Sequence, residues 1–536
     1  MTGEPAPTGE DDTAGWLLTA AERGNDATEL DRGRPDGRGW AEGNLVRPLV
    51  HGAAYFRRLH EELNDCGEGD QVYVGAWRGD PAQRLAGPGT AVAVELGRAV
   101  SAGAAVSGLI WRSHLDWLQH HARNNRDLVR TLDLLGGSVL LDQRVRNGGS
   151  HHQKFVVIRR AARPETDVAF VGGIDLSHSR RDDAAHHGDP QPRDMAAVYG
   201  ATPAWHDAMV EIHGPAVADV EHCFRERWAD PTAPRHLPWL WVYDRVRSRS
   251  EGTARDLPDE LPAPPPCGPH AVQLLRTYPN KSLPFPFAPS GERSVARGYA
   301  KALGRARTLI YVEDQFLWSP LVAKVFAGAL RRNPGLRMIA VVPRCPDGDG
   351  AVQVAASAVA QRWALEILYS AGGDRVEVYE IENAAGLPIY VHAKLCVIDD
   401  TWAAVGSANL NRRSWTHDSE LTAAVLDRTR DDREGEARRF ARDLRLQLWR
   451  EHLDRADGDD ADLVESDRGA AALRRAAAEL DGWYAAGCAG PRPAGRLRRH
   501  AIPEVSLSAR GWGPLAVRVA LDPDGRPRGR WRARRW

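Results

Sequence analysis

The sequence predicts an α/β protein built from two copies of one lobe, each a mixed β-sheet flanked by helices. Three observations carry that prediction. Short apolar strands alternate with helix-length segments along most of the chain. The same series of strands occurs twice. A His-x-Lys tripeptide closes each series, at His152-Gln-Lys154 and at His392-Ala-Lys394, 240 residues apart.

The elements can be justified in order. A helical pattern around Tyr55-Phe-Arg-Arg-Leu59 leads to an apolar strand, Val72-Tyr-Val-Gly-Ala-Trp77. In the second half Tyr299-Ala-Lys-Ala-Leu303 leads to Leu309-Ile-Tyr-Val-Glu-Asp-Gln-Phe316. Next comes Val106-Ser-Gly-Leu-Ile-Trp111 against Met338-Ile-Ala-Val-Val342. After a further helix-length segment, Ser138-Val-Leu-Leu141 matches Arg375-Val-Glu-Val-Tyr379. The His-x-Lys strands follow, Phe155-Val-Val-Ile158 and Leu395-Cys-Val-Ile398, and then Gly172-Gly-Ile-Asp175 and Gly406-Ser-Ala-Asn409. Tyr73 to His152 is 79 residues and Tyr311 to His392 is 81, so spacing agrees as well as order.

These matches divide the chain into an N-terminal extension (1–43), a first lobe (44–232), a linker (233–269), a second lobe (270–455) and a C-terminal helix with a basic tail (456–536). The linker rests on Leu257-Pro-Asp-Glu-Leu-Pro-Ala-Pro-Pro-Pro266. An Ala/Arg-rich helix is expected around 468–486. The tail from Arg526 to Trp536, with six Arg and two Trp, reads as solvated chain whose composition also suits anionic headgroups.

At 536 residues the chain is long enough for more than one folding unit, and 43% hydrophobic with 27% charged residues is a globular composition. The net charge of −1 argues against a protein devoted to duplex nucleic acid. The acidic start, Met1 to Asp12, lacks the basic and apolar regions of a secretory signal. The most apolar stretch, Ala99 to Trp111, is too short to cross a bilayer. Six cysteines without CxxC pairing point to reduced thiols, with neither zinc nor a disulfide framework. A cytoplasmic location is the expectation.

Lysine usage narrows the chemistry. Only five of the 71 basic residues are lysine, and two of the five sit in the His-x-Lys pairs. Chance would give roughly 0.2 such tripeptides in a chain of this composition. Arginine is a planar fork and lysine a compact point charge, so a crowded anion site that needs the latter resists the exchange. Two histidines and two ammonium groups are what phosphodiester cleavage needs without a metal. Lys281, Lys301 and Lys324 read as ordinary cations.

The chain resembles the phospholipase D superfamily, and within it the two-motif phospholipases of eukaryotic and related bacterial type. The match rests on Ser150-His-His-Gln-Lys-Phe-Val-Val-Ile158, Val168 to Leu176, Trp205-His-Asp207, Gly214-Pro-Ala216, Ile310 to Gln315 and the long motif from His392 to Glu420. One departure stands out. The family places Asp five residues after Lys, as at Asp399, whereas the first copy has Arg159 there. Glu165 or Asp167 is the candidate replacement after a short insertion, and the family's Asp supports the fold.

The resemblance implies metal-independent, two-step chemistry with no cofactor. One histidine attacks phosphorus and forms a phosphohistidine; the other protonates the leaving alcohol and then activates water. The family tendency makes His152 the nucleophile and His392 the acid. Matching Trp205-His-Asp207 with His417-Asp418 assigns Asp207 and Asp418 as the carboxylates that orient the rings. Lys154, Lys394 and Asn409 would bind non-bridging oxygens. Asp175 fills the Asn409 position in the first copy, where a carboxylate repels phosphate unless it is protonated or turned toward a lysine.

The implied substrate is a glycerophospholipid, met at a peripheral membrane surface and converted to phosphatidic acid and a free headgroup, with transphosphatidylation as a side activity. Nucleic acid is disfavoured as a substrate, and a monomer is the simplest assembly. The rival readings are a phosphatidyltransferase of the cardiolipin synthase kind, a nuclease, and an inactive membrane-associated scaffold. His151 reads as a packing residue, and His186-His-Gly-Asp189 as a solvated loop because no further ligand spacing supports a metal. Arg276 to Phe287 is either an acyl-chain wall or an interlobe packing loop.

Overall fold

The computed structural model describes residues 13–32, 34–113, 120–232, 254–348, 350–429 and 437–527. The acidic start and most of the basic tail lie outside the described residues. The first lobe contributes β1 (Ala41–Val50), β2 (Gln71–Ala76), β3 (Ala105–Trp111), β4 (Ser138–Asp142), β5 (Phe155–Arg159), β6 (Val168–Gly172), β7 (Trp205–His206) and β8 (Ala208–His213). The second contributes β9 (His270–Tyr278), β10 (Glu292–Arg293), β11 (Leu309–Asp314), β12 (Arg337–Val341), β13 (Val376–Ile381), β14 (Tyr390–Val391), β15 (Lys394–Ile398), β16 (Trp402–Gly406) and β17 (Glu420–Asp427). A last strand, β18 (Leu497–Arg499), follows the helix Ser466–Ala485.

All but β7 and β14 belong to one mixed sheet. Its order is β18-β13-β12-β11-β15-β16-β17-β9-β1-β8-β6-β5-β2-β3-β4, with β10 paired to β9. Read outward from the β9–β1 seam, the two arms are the same apart from β18 and β10 on the second-lobe side. Each runs from its first strand through three antiparallel neighbours to a parallel trio, β11-β12-β13 on one side and β2-β3-β4 on the other. The duplication read from the sequence is therefore a pseudo-twofold in strand order and direction. The seam is itself antiparallel, with Ala41 opposite Val272 and Asn44 opposite His270.

The apolar runs without polar alternation are explained by burial on both faces. Successive residues of a strand point to opposite faces. Tyr73, Phe155 and Val157 enter a central core together with Tyr311, Leu395 and Val397 of the other lobe. Their neighbours Val72, Val74, Val156 and Ile158 face the helices of the first lobe. Ile310, Val312, Cys396 and Ile398 do the same in the second. The central core is thus common to both lobes. Residues 13–32 pack onto the second lobe through Trp16, Leu17 and Leu18, and Arg23 is buried against Asp31 and Glu292.

Two sequence expectations resolve here. At the Arg159 position the first lobe holds a buried arginine, 2.7 Å from Asp167, also paired with Glu221 and donating to the carbonyls of Leu261 and Pro262. Asp167 is therefore the carboxylate after the insertion, while Glu165 is solvent-exposed. In the second lobe Asp399 accepts from the backbone N–H groups of Arg307, Thr308 and Leu309 at 2.7–2.9 Å. The segment after β9 is a packing loop: Phe285 and Phe287 are buried against Tyr278.

Candidate active site

The His-x-Lys tripeptides enter β5 and β15, and alternation along an extended chain puts His and Lys of each pair on the same side. The backbone holds them by one repeated device. His152 N–H donates to the Ser419 carbonyl at 2.9 Å, and His392 N–H donates to the His206 carbonyl at 2.7 Å. The flanking residues pair in parallel, His151 with Ser419 and Val391 with His206. Each lobe's histidine is thereby registered against the other lobe's chain.

That register sets the carboxylates. Ser419 corresponds to His206, so Glu420 corresponds to Asp207. His392 Nδ1 lies 2.6 Å from Asp207 Oδ2, and His152 Nδ1 lies 2.9 Å from Glu420 Oε2. Both dyads cross between lobes. Asp418 does not orient His152: it accepts the Ser150 N–H at 2.8 Å and pairs with Arg413 at 2.7 Å. The repeated His-Asp dipeptide was a sequence coincidence, displaced by two residues from the structural match. Counting from the parallel pairs at His151 and Val391 would have found Glu420.

Asp399 also falls outside the reacting groups. It sits at the far end of β15, five residues from Lys394 and hence about 16 Å away. Its carboxylate is spent on backbone N–H groups of the 307–309 segment.

Lys154 and Lys394 are 1–2% exposed. Lys154 Nζ donates to the His152 carbonyl at 2.9 Å and lies 3.5 Å from Asp175, over the Trp77 ring at 5.5 Å. Lys394 Nζ donates to the His392 carbonyl and, at 3.0 Å, to Gln315 Oε1. Asp175 is thus turned toward a lysine, and its other oxygen accepts the N–H groups of Trp77 and Arg78 at 3.0 and 2.9 Å. Asn409 Oδ1 is buried without a hydrogen-bond partner among the described residues. Arg180, unnoticed in the sequence, is buried over the Trp205 ring at 3.7 Å, and Trp205 in turn flanks His392. Trp77 flanks His152.

Electrostatics distinguish the dyads. Burial, followed by the two lysines at His152 and by Lys394 and Arg180 at His392, pushes both imidazoles well below their usual range. Burial brings Lys394 down to about 7. Burial raises Asp207 to about 6, while the Lys394 charge and donors from Ala208 N–H and Trp205 Nε1 restrain it. Burial raises Glu420 further, to about 8, with the Asp418 charge adding to it. Besides His152, Glu420 has the Ser407 hydroxyl at 2.6 Å. Burial thus raises the proton affinity of Glu420 above that of Asp207.

His151 is buried, and its ring is held neutral by burial and the Arg227 charge. The His186–Asp189 segment departs from expectation. His187 is exposed, but His186 is fully buried against His51, His206 and Glu451. Three of those partners are remote in sequence, which is why spacing did not show them. Among the described residues no helix is long and apolar enough to cross a membrane.

Two family models match the chain: phospholipase D over residues 137–320, and the cardiolipin synthase, PLD-like domain over 303–443. Phospholipase D alpha 1 of Arabidopsis thaliana is 26% identical over 429 residues, 60% of this chain and 51% of that protein. The Brassica oleracea var. capitata enzyme of the same name is 25% identical over 544 residues, 76% of this chain and 65% of that one. The chain thus spans about half the length of the first of these relatives. A crystal structure of phosphatidylserine synthase from Haemophilus influenzae Rd KW20 aligns with TM-score 0.49 and 14% identity, over 72% of this chain and 82% of that one. On its family matches and relatives, the chain belongs to the phospholipase D superfamily.

Proposed function

We propose that this chain is a phospholipase D-type phosphodiesterase that hydrolyses glycerophospholipids to phosphatidic acid and free headgroup through a phosphohistidine. The observation that carries the reading is the pair of crossed dyads, each beside a buried lysine. One ring attacks phosphorus as the headgroup P–O bond breaks, and the other ring gives its proton to the departing oxygen. That second ring then takes a proton from water, which attacks phosphorus and breaks the P–N bond. Lys154, Lys394 and the Asn409 amide offset the charge on the non-bridging oxygens.

The unequal carboxylates favour a division of labour. A nucleophile needs a neutral ring with its Nδ1–H on an ionised carboxylate, which suits His392 and Asp207. An acid needs the extra proton, which suits His152 and Glu420. This reverses the family tendency. It is tested by mapping the trapped phosphoryl group to its peptide.

Phosphatidyl transfer is the second reading, favoured by the match of residues 303–443 to the cardiolipin synthase domain model. Purified protein, a panel of labelled phospholipids, ethanol and single-stranded DNA separate the cases. Phosphatidic acid, diverted to phosphatidylethanol by ethanol, is the expected result. Cardiolipin from phosphatidylglycerol as the main product would favour the transferase. Turnover of DNA alone would overturn both.

A further inference from the structure

Apart from the reacting groups, three buried histidines and the partly buried Glu451 converge from four remote segments behind β7. His51 comes from the turn between β1 and the helix Gly52–Asn64, His186 from a loop, His206 from β7, and Glu451 from the helix Arg439–His452. One ligand atom of each lies within 4.8 Å of all the others. His51 Nε2 is 2.7 Å from Glu451 Oε2, and His186 Nε2 and His206 Nδ1 are 3.1 and 3.4 Å from Glu451 Oε1. The edge of a tetrahedron of nitrogen and oxygen ligands around zinc is about 3.3 Å. His51 and Glu451 are 400 residues apart.

From this arrangement we propose that His51, His186, His206 and Glu451 bind one divalent transition-metal ion, with zinc as the preferred occupant. The outer contacts are those of metal-bound imidazoles. His186 sets its far nitrogen, Nδ1, 3.3 Å from Asp182, and His206 sets Nε2 2.5 Å from Glu313. A carboxylate on the far nitrogen fixes the ring and raises its basicity toward a metal. Glu313 is itself held by His452 Nε2 at 2.7 Å.

Proton counting gives the same answer. An imidazole with acceptors at both nitrogens must carry two protons or surrender one position to a metal. His186 is in this position, and His206 has Glu313 on Nε2 while its Nδ1, without a hydrogen bond, faces Glu451 at 3.4 Å; the two ring centroids are 5.8 Å apart and His51 is within 4.9 Å of each. Two imidazolium ions so close in a dry pocket repel; one cation shared by three neutral rings and a carboxylate does not. Three nitrogens to one oxygen select zinc-like ions over calcium or magnesium, which take oxygen donors. His51 and His186 hold φ of 69° and 55°, uncommon for side-chain-bearing residues, and that backbone aims both rings inward.

The site ties three segments of the first lobe to a second-lobe helix, and among the described residues no hydrogen bond joins its side chains to the rings of His152 or His392. It is therefore a structural clamp, and its test is independent of catalysis. The full-length protein is stripped with chelator, and metal is measured on reloading with Zn2+ or Co2+. The expected result is one equivalent per chain, the intense visible bands of four-coordinate Co2+, and a raised Tm on zinc loading. His186→Gln and Glu451→Gln should abolish the Co2+ bands, while His187→Gln should keep them. Wild-type protein that takes up less than about a tenth of an equivalent of either ion overturns the proposal and leaves an imidazolium–carboxylate network. So does a full Co2+ spectrum in folded His186→Gln protein. If that variant does not fold, the wild-type stoichiometry decides.

Discussion

Where the first lobe has Ala76 and Asp175, the second has Asp314 and Asn409 at the corresponding positions, and the two carboxylates tie the same pair of loops from opposite sides. Asp175 reaches from the glycine-pair turn to the N–H groups of Trp77 and Arg78. Asp314 reaches from the end of β11 to the N–H groups of Phe316, Leu317 and, across the gap, Leu410. Each half-site keeps one negative charge near its lysine, yet only the second leaves a neutral amide beside it. A duplicated scaffold preserves the skeleton of a site more strictly than the address of each charge. The dyads differ in the same manner, Asp207 in one and Glu420 in the other, with unequal proton affinities.

The strongest way to break this comparison is to neutralise the dyads. Asp207→Asn should lower turnover by about 10³-fold or more, because a ring that loses its ionised partner loses the tautomer it needs. Glu420→Gln should cost less, since burial raises the proton affinity of Glu420 above that of Asp207. Asp418→Asn should cost least, acting only through the Ser150 and Arg413 contacts. Steady-state kinetics on the three variants checks the order, and equal losses at Glu420 and Asp418 would undo the assignment.

The lysines come next. Lys154→Arg and Lys394→Arg should each lose about a hundredfold in turnover with unchanged Tm, because a planar guanidinium displaces phosphorus from its line with the attacking ring. Lys324, exposed, and Lys301, at the N-terminal segment, are the internal controls. Lys281 is not one. It is buried 4.0 Å over the Phe285 ring and 3.7 Å from Asp230, and burial lowers it to about 8. Wild-type activity in both site variants would leave the two tripeptides without their role.

A smaller effect probes Asp399, outside the site. Asp399→Ala should cost about 1–3 kcal/mol of stability, since three N–H groups lose their acceptor, while turnover stays within a few-fold. Denaturant unfolding and kinetics on one preparation read both quantities. A large loss of turnover in a stable variant would return Asp399 to the chemistry.

The smallest effect lies in pH. Burial pushes Glu420 up to about 8 in the folded chain, against about 4.3 unfolded, so between those values the native state binds more protons. Stability from this group therefore falls as pH rises through that window. The decline in Tm from pH 6 to pH 8.5 should be shallower in Glu420→Gln than in wild type. Parallel Tm curves would show that Glu420 is ionised throughout.

Much of this was legible in the chain because it is local. Apolar pentapeptides name the strands, and His-x-Lys spacing aligns two side chains whatever follows. Glu420 was not, because dipeptide likeness favoured Asp418 while the partner is set by hydrogen bonds from His152 N–H to Ser419 and from His392 N–H to His206. In the sequence, Arg159 shows only that the family's Asp is absent from that position. Its guanidinium instead bridges Asp167 and Glu221, contacts that depend on how a helix lies on the sheet. The cluster at His186 was hidden for the same reason, with ligands spread over 400 positions.

The crossed dyads also bear on how the protein is made. A ribosome delivers His152 and its lysine long before residue 420, so the newly made first lobe holds an imidazole without the carboxylate that faces its Nδ1. The second lobe made by itself would lack Asp207 in turn. Under the proposed chemistry, neither half can attack a phosphodiester before the β9–β1 seam has closed. Under that chemistry, chains ending before residue 420 lack one dyad partner, and activity would report that the two lobes have closed on one another.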